Sequence, residues 1–235
     1  MRPGTLVLVH SPLTGAAAWG DLPSTLNLRG LDTLTVEATD GGQAPYAGRF
    51  VASAALGIND ADPRPPLALV AHSGAGPLLA QVGFAQRAAR RLVGAYVFCD
   101  AGLPRGREAS RLDLLRDEDA AAAVALESDM ADGGTFPSWT DDDLADEVPD
   151  REARRALVAS LRPHRLDYFT EPLPYPDDWP DAPCAYLRTS AAYAVPARTA
   201  GHRGWPVRER DLGHFAALVD ADAVVDDLVG LLDLL

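Results

Sequence analysis

The sequence predicts an α/β fold in which helices cover both faces of a mostly parallel sheet. Short apolar strands alternate with helical stretches, a serine stands between small residues at a strand-to-helix corner, and residues 103–183 depart from the alternation. The 235 residues, 47% of them hydrophobic, suffice for one sizeable core. We therefore expect a single domain, 1–235, in which 103–183 form a helical cap and return loop.

The elements before that interval follow from residue type and periodicity. Apolar, β-branched runs predict strands, and longer stretches of helical period between them predict helices. The predicted strands are 5–9, 32–37, 67–71 and 92–99, and the predicted helices are 16–28, 46–56 and 77–90. Apolar strands separated by helices indicate parallel pairing.

The interval has a different pattern. Residues 109–130 and 150–161 are helix-like, residues 140–143 have the capping-box pattern of a helix start, and residues 171–183 are proline-rich. After it, strands at 185–189 and 207–211 and a closing helix from Ala221 resume the alternation.

Composition limits the partners and the chemistry. A formal net charge of -13 argues against nucleic acid or an anionic membrane surface as a partner. No apolar run has the length of a signal sequence or a membrane span, so we expect a cytoplasmic protein. The chain has no lysine, which excludes Schiff-base catalysis by that residue. Cys99 and Cys184 fall in predicted strands and are interpreted as reduced core thiols.

Ser73 is the leading candidate for a catalytic residue. It lies in Ala71-His72-Ser73-Gly74-Ala75, between an apolar strand and a helical stretch. Such a tight corner pushes the nucleophile toward positive φ, so the residues two before and two after it must be small. The helix N-terminus behind the hydroxyl stabilises negative charge. The alternative role is that of a helix N-cap serine.

Four segments, in this order, resemble those of the α/β-hydrolase superfamily. They are 6–19 (LVLVHSPLTGAAAW), 71–75 (AHSGA), 98–104 (FCDAGLP) and 211–215 (DLGHF). The chain is similar to the small, capped branch that includes plant-type esterases and hydroxynitrile lyases. The resemblance implies an α/β-hydrolase fold with a helical cap inserted after the strand that ends at Asp100. It also places His214 where the catalytic histidine of the superfamily reaches the serine; a surface loop histidine is the alternative.

The resemblance further implies an oxyanion hole with two N–H donors. Gly74, directly after the nucleophile, supplies one. In the loop after His10, Ser11 replaces the usual glycine and Pro12 has no N–H. The second donor is therefore Ser11, through its backbone or its hydroxyl, or Leu13. In hydroxynitrile lyases a hydroxyl residue at the position of Ser11 contacts substrate, and His10 is expected to hydrogen-bond backbone.

The acid of a Ser-His-acid triad is assigned to Asp100. Most relatives place it after the penultimate strand, but no Asp, Glu, Asn or Gln lies between Asp181 and Glu209 here. Some superfamily members place it after the preceding strand, which here ends at Asp100. A carboxylate there accepts from the histidine Nδ1–H and fixes its tautomer. A turn-capping role for Asp100, and Asp211 as the acid, are the alternatives.

A dinucleotide-binding unit is a rival interpretation of residues 67–100. A strand, Gly74-Ala-Gly76, a helix and a second strand ending in an acid imitate that motif. However, Leu79 stands where a third small residue is needed. We expect no cofactor, and no metal, because five scattered histidines and two cysteines lack ligand spacing.

The sequence thus favours a serine hydrolase that cleaves an ester, thioester or lactone of a small apolar molecule through an acyl-enzyme on Ser73. The alternatives are a non-hydrolytic catalyst on the same scaffold (a cyclase, epimerase or C–C lyase in a biosynthetic pathway) and a non-catalytic binder. Hydroxynitrile lyase activity is disfavoured, because Phe215 occupies the position of a lysine in that family.

Aromatic residues are the candidates for an apolar pocket, with ordinary cap core as the alternative role. They are Trp19, Phe136, Trp139, Tyr168, Phe169, Tyr193 and Phe215. An anionic substrate group would require arginines in the cleft, for which Arg105, Arg107, Arg188 and Arg198 are candidates. The expected partner is a small-molecule substrate, and a homodimer is left open.

Overall fold

The fold is built on one sheet of six strands, shown by a computed structural model that describes residues 1–106 and 109–235. The strands are β1 (Thr5–Val9), β2 (Thr33–Val36), β3 (Leu67–Ser73), β4 (Val93–Ala101), β5 (Cys184–Arg188) and β6 (Val207–Glu209). Their order is β2-β1-β3-β4-β5-β6, and every neighbouring pair is parallel. This confirms the expected parallel α/β architecture.

Helices lie on both faces of the sheet and in the stretch of chain between β4 and β5. They are α1 (Leu22–Leu28), α2 (Tyr46–Ala61), α3 (Leu79–Ala88), α4 (Arg111–Glu118), α5 (Ala120–Ala131), α6 (Arg151–Ala159), α7 (Leu166–Thr170), α8 (Ala194–His202), α9 (Ala216–Val219) and α10 (Ala221–Leu232). Val7 belongs to a buried cluster that includes residues of α2, α3 and α8, whereas its neighbour Leu6 belongs to a second cluster that includes residues of α1 and α10. Alternate side chains of one buried strand therefore serve two separate cores.

Two predicted helices are interrupted. The stretch predicted at 16–28 is a 3-10 turn, Ala16–Trp19, followed by α1, and Gly20 between them has a φ of 47°. A Cβ on Gly20 would lie 2.6 Å from the Leu218 side chain, so the close approach to α9 requires glycine. The stretch predicted at 109–130 divides at Asp119, which is extended and whose carboxylate accepts the Ala122 N–H at 2.9 Å to cap α5.

The capping-box pattern at 140–143 forms its bonds but starts no helix. The Thr140 N–H donates to the Asp143 carboxylate at 2.8 Å, and the Asp143 N–H donates to the Thr140 hydroxyl at 3.3 Å. The chain then continues in turns to Glu147. Pro149 disfavours helical backbone at Val148, which precedes it, so the turns do not continue past Glu147.

Residues 102–183, here called the inserted segment, leave the sheet after β4 and rejoin it at β5. Within the segment Leu112, Met130 and Phe169 form one buried cluster, which also includes Tyr46 of α2. A buried hydrogen bond between His164 Nε2 and Asp40 Oδ2, at 2.9 Å, joins the segment to the loop after β2. None of the helices in the described ranges has the length and apolar character that crossing a membrane requires.

Candidate active site

The end of β3 forms the expected tight corner. Ser73 is its last residue and has a φ of 55°, an unusual conformation for a residue with a side chain. Ala71 and Ala75 are fully buried on either side. A Cβ on Gly76 would lie 2.0 Å from the carbonyl oxygen of Gly102, so the corner packs directly against the chain leaving β4.

Three side chains form a continuous hydrogen-bonded chain at the carboxyl ends of the strands. The Nε2 atom of His214 lies 3.0 Å from Ser73 Oγ, and its Nδ1 atom lies 2.8 Å from Asp100 Oδ2. His214 comes from the loop between β6 and α9, and Asp100 from β4, which pairs with β3. Asp211, the alternative acid, is exposed at the end of β6.

Asp100 is a buried carboxylate with several donors. Its Oδ1 atom accepts the N–H groups of Thr189 at 2.8 Å and Ser190 at 2.9 Å, and its Oδ2 atom accepts the Ser190 hydroxyl at 2.6 Å. Burial opposes ionisation, but hydrogen bonds from His214, Ser190 and Thr189 hold the pKa of Asp100 below its ordinary value. The charged carboxylate therefore fixes a proton on Nδ1 of His214 and leaves Nε2 to accept one.

Two supporting residues were missed by the sequence analysis. Ser190 lies in the loop after β5, where most relatives carry the acid; the lack of an acid in that loop was the available signal. Glu147 accepts the N–H of His214 at 2.6 Å, next to Gly213, which has a φ of 84°. No sequence pattern points to Glu147, because the contact links the inserted segment to a loop far along the chain.

The other two histidines near the corner are structural. The ring of His72 stacks on that of His214 at 4.5 Å, and its Nε2–H donates to the His214 carbonyl at 2.9 Å. Burial, with the nearby His214 charge as the second cause, lowers the pKa of His72 to about 3. His10 bonds backbone, donating from Nδ1 to Ser11 O at 2.8 Å and accepting the Ala38 N–H at 3.1 Å.

The candidate oxyanion donors converge beside Ser73. A Cβ placed on Gly74 would lie 3.1 Å from the hydroxyl oxygen of Ser11, so the two residues are in close proximity. The Leu13 N–H donates to the same hydroxyl at 3.3 Å. The Leu13 N–H is therefore already engaged in a hydrogen bond. The buried Ser11 hydroxyl is the acceptor of that bond, so its own proton remains available for another acceptor. Ser11 and Gly74 both border the cavity described next.

A cavity of about 670 Å³ lies over Ser73, between the sheet and the inserted segment. Six of the seven predicted aromatic residues line it: Phe136, Trp139, Tyr168, Phe169, Tyr193 and Phe215. Trp19 does not; it is buried beneath the corner, with its ring 5.6 Å from that of His72. The 3-10 turn carries this side chain into the core, which a helical pattern could not reveal.

Tyr193 contacts both Ser73 and His214. Its hydroxyl lies 3.2 Å from Ser73 Oγ, and its ring stacks on His214 with a centroid distance of 5.1 Å and an interplanar angle of 8°. The arginine and carboxylate residues of the wall are Arg111, Glu118, Asp129 and Glu147. Burial, opposed by the charge of Arg105, raises the pKa of Glu118 to about 7.

Three of the four arginines predicted to meet an anionic group do not border this cavity. Arg105 and Arg188 form ion pairs with carboxylates, Arg198 is exposed on α8, and Arg107 lies outside the described residues. The cavity wall instead carries Arg111. Among residues 1–106 and 109–235, no group of three or more His, Cys, Asp or Glu is placed to hold a metal ion.

Solved structures with the same fold cover nearly the whole chain. An extracellular α/β-hydrolase from a Paenibacillus species is 19% identical (TM-score 0.68; 97% of this chain, 99% of that chain). Tomato methylketone synthase I, complexed with 2-tridecanone, is 15% identical (0.70; 99% of both chains). An Arabidopsis methylesterase is 16% identical (0.64; 98% and 99%).

The sequence comparisons agree with the fold at the level of the family. No curated protein matches the sequence significantly. The family model described as the alpha/beta hydrolase family matches residues 6–227, which is most of the chain. The parallel sheet, the corner at Ser73 and this match together show that the protein belongs to the alpha/beta hydrolase family.

Proposed function

We propose that the protein is a serine hydrolase that cleaves an ester, thioester or lactone of a small apolar molecule through an acyl-enzyme on Ser73. The single observation that carries this proposal is the chain of hydrogen bonds from Ser73 through His214 to Asp100. It couples a hydroxyl to a base whose tautomer is fixed by a buried carboxylate.

Acylation follows from the direction of these bonds. Nε2 of His214 takes the proton of Ser73 as Oγ attacks the substrate carbonyl carbon. The negative charge on the carbonyl oxygen is held by the Gly74 N–H and by Ser11, whose hydroxyl substitutes for the N–H that Pro12 lacks. When the tetrahedral intermediate collapses, the bond to the alcohol or thiol breaks and His214 returns its proton to that leaving group.

Deacylation repeats the sequence with water as the nucleophile. His214 takes a proton from water, the resulting hydroxide adds to the acyl carbon, and Oγ leaves with the proton that His214 gives back. The products are a carboxylic acid and a free serine. His72 stays neutral beside His214 throughout, so it does not compete for the proton.

The cavity sets the proposed substrate class. Aromatic and aliphatic side chains form most of its wall, and its volume of about 670 Å³ is within the usual range for small-molecule sites. In this proposal the inserted segment acts as the cap, contributing Phe136, Trp139, Tyr168 and Phe169 over the apolar part of the substrate.

Intact-mass analysis after treatment with a fluorophosphonate tests the proposal. Attack by Oγ forms one O–P bond and releases fluoride, so an activated Ser73 gains one phosphonyl group. We expect stoichiometric labelling of the native chain and none of Ser73→Ala or His214→Ala. An unlabelled native protein that is well folded by circular dichroism would refute the serine-hydrolase proposal.

A non-hydrolytic reaction on the same residues is the second candidate. The Ser11-Pro12 loop favours it, since a hydroxyl stands where a backbone donor is usual, and the similar methylketone synthase I was solved with a ketone bound. Turnover in H₂¹⁸O separates the two. Hydrolysis places one ¹⁸O in the carboxyl group of the acid product, whereas cyclisation, epimerisation or C–C cleavage without water forms no ¹⁸O-labelled carboxyl group.

A further inference from the structure

The loop after β5 brings a second hydroxyl to the nucleophile. Tyr193 ends a 3-10 turn, Ala191–Tyr193, directly after this loop. Its hydroxyl lies 3.2 Å from Ser73 Oγ, close enough for a hydrogen bond, and its ring lies nearly parallel to that of His214. Tyr193 therefore touches a reacting atom, and its ring is held against the base that serves that atom.

The direction of this hydrogen bond follows from the rest of the chain. Asp100 is ionised and accepts from Nδ1 of His214, so Nε2 is an acceptor and the proton of Ser73 points to it. Oγ then has only lone pairs to offer Tyr193, which must be the donor. Burial raises the pKa of Tyr193 above its ordinary value, so the phenol keeps its proton.

We propose that Tyr193 is a further catalytic residue, which donates its O–H to Ser73 Oγ and stabilises the negative charge that develops there. This inference rests on the proposed serine-hydrolase function. Charge develops on Oγ when His214 removes its proton, and again when Oγ leaves the acyl group. The phenol serves both steps without losing its proton, because the transferred proton moves only among Ser73, His214 and the leaving group.

The position of the acid on β4 explains why a tyrosine, Tyr193, can lie next to Ser73. The acid lies on β4, so the loop after β5 does not supply a carboxylate to His214. It contributes donors at both ends of the hydrogen-bonded chain instead, from Thr189 and Ser190 to Asp100 and from Tyr193 to Ser73. A hydrogen bond to a charged group contributes more than one between neutral groups, so the effect is concentrated in the transition states.

The rate of fluorophosphonate labelling of the full chain tests this role. Tyr193→Phe retains the ring against His214 and removes only the donor, so we expect labelling slower by about 10- to 100-fold. Tyr175→Phe is the matched control. Its hydroxyl donates to the Trp179 carbonyl at 3.3 Å in the proline-rich stretch, away from the cavity, and its labelling rate should be that of the native chain.

The outcomes separate this inference from the function on which it rests. If the native chain is labelled and Tyr193→Phe reacts as fast, the catalytic role of Tyr193 is wrong and the serine-hydrolase proposal stands. If the native chain is not labelled, both fail. Tyr193→Ala provides a second test, in which added phenol should accelerate labelling and toluene should not, because only phenol restores the hydroxyl. Equal effects of the two compounds would indicate a packing role and overturn the inference.

Discussion

The reacting groups on the sheet side of the cavity and two residues of the inserted segment, Arg111 and Tyr168, differ in how their polar atoms are hydrogen-bonded. On the sheet side both oxygens of Asp100 and both ring nitrogens of His214 have hydrogen-bond partners at 2.6 to 3.0 Å. On the inserted-segment side, Nε and Nη2 of Arg111 and the hydroxyl of Tyr168 are buried without a hydrogen bond to the described residues. The sheet side therefore fixes one geometry, whereas the inserted segment keeps unused hydrogen-bonding groups beside the substrate space.

The largest expected effect comes from breaking the sheet-side geometry. In Asp100→Asn the side-chain oxygen can still accept the N–H groups of Thr189 and Ser190, but the charge that fixes the His214 tautomer is lost. We expect fluorophosphonate labelling to slow by about 10³- to 10⁴-fold. Asp211→Asn is the control, since that residue is exposed and only three positions from His214. Equal loss in both variants would show that Asp100 does not act as the acid.

A smaller effect is expected from the opposite wall. Trp139 borders the cavity, with its ring 5.2 Å from Phe136 and 5.9 Å from Phe215. Trp139→Ala removes apolar contact with the substrate but none of the reacting groups. For a long-chain p-nitrophenyl ester we expect kcat/KM to fall by about 10- to 100-fold, mainly through KM. An equal loss with the acetyl ester would mean that Trp139 supports the reacting groups instead.

Glu118, in the wall formed by the inserted segment, should make the stability of the protein depend on pH. Its pKa in the folded protein, about 7, exceeds the ordinary 4.5, so between these values the folded chain retains a proton that the unfolded chain has released. Wild-type stability therefore falls as pH rises through this window. Urea unfolding should show Glu118→Gln gaining stability over wild type from about pH 5 to about pH 8, by about 1 to 3 kcal/mol.

The matched control for this prediction is Glu152→Gln, on the exposed side of α6. It should follow the pH dependence of the wild-type chain. A constant difference between Glu118→Gln and wild type at all pH values would show that burial of Glu118 does not oppose its ionisation.

The last contrast is between two buried tyrosines, one on each side of the cavity. The Tyr186 hydroxyl donates to Ala101 O at 2.7 Å and accepts the Ala101 N–H at 3.1 Å, whereas the Tyr168 hydroxyl has no hydrogen-bond partner among the described residues. Thermal unfolding should show Tyr186→Phe destabilised by about 1 to 3 kcal/mol and Tyr168→Phe neutral or stabilised by about 1 kcal/mol. Equal destabilisation of both would remove the contrast between the walls.

The sequence predicted the parts of the molecule that depend on local pattern. Buried parallel strands form near-continuous apolar runs, and the small residues around Ser73 reflect a steric requirement that any such corner imposes. The family resemblance then assigned Ser73, Asp100 and His214 to one catalytic triad, and the structure brings these residues into contact. The direction of a side chain was harder to predict from the sequence. Trp19 was expected to line the pocket but is buried beneath the corner.

The remaining features depend on contacts between distant parts of the chain. Glu147 meets His214 across 67 residues, and the hydroxyl of Tyr193 meets Ser73 across 120. No helical or strand period encodes such distances. The break at Asp119 is a different case, because a short acidic side chain competes for backbone N–H groups and this residue is visible in the sequence. The alanine-rich run after it nevertheless led to the prediction of one continuous helix.

The position of Asp100 also bears on how this chain can exchange parts with its relatives. The carboxylate lies just before the inserted segment, and Thr189 and Ser190, which hold it, lie just after the segment returns through β5. A chimera that replaces the inserted segment, residues 102–183, with the corresponding segment of another family member would therefore retain Asp100, Thr189 and Ser190. Of the side chains that hold His214, only Glu147 would be replaced in such a chimera.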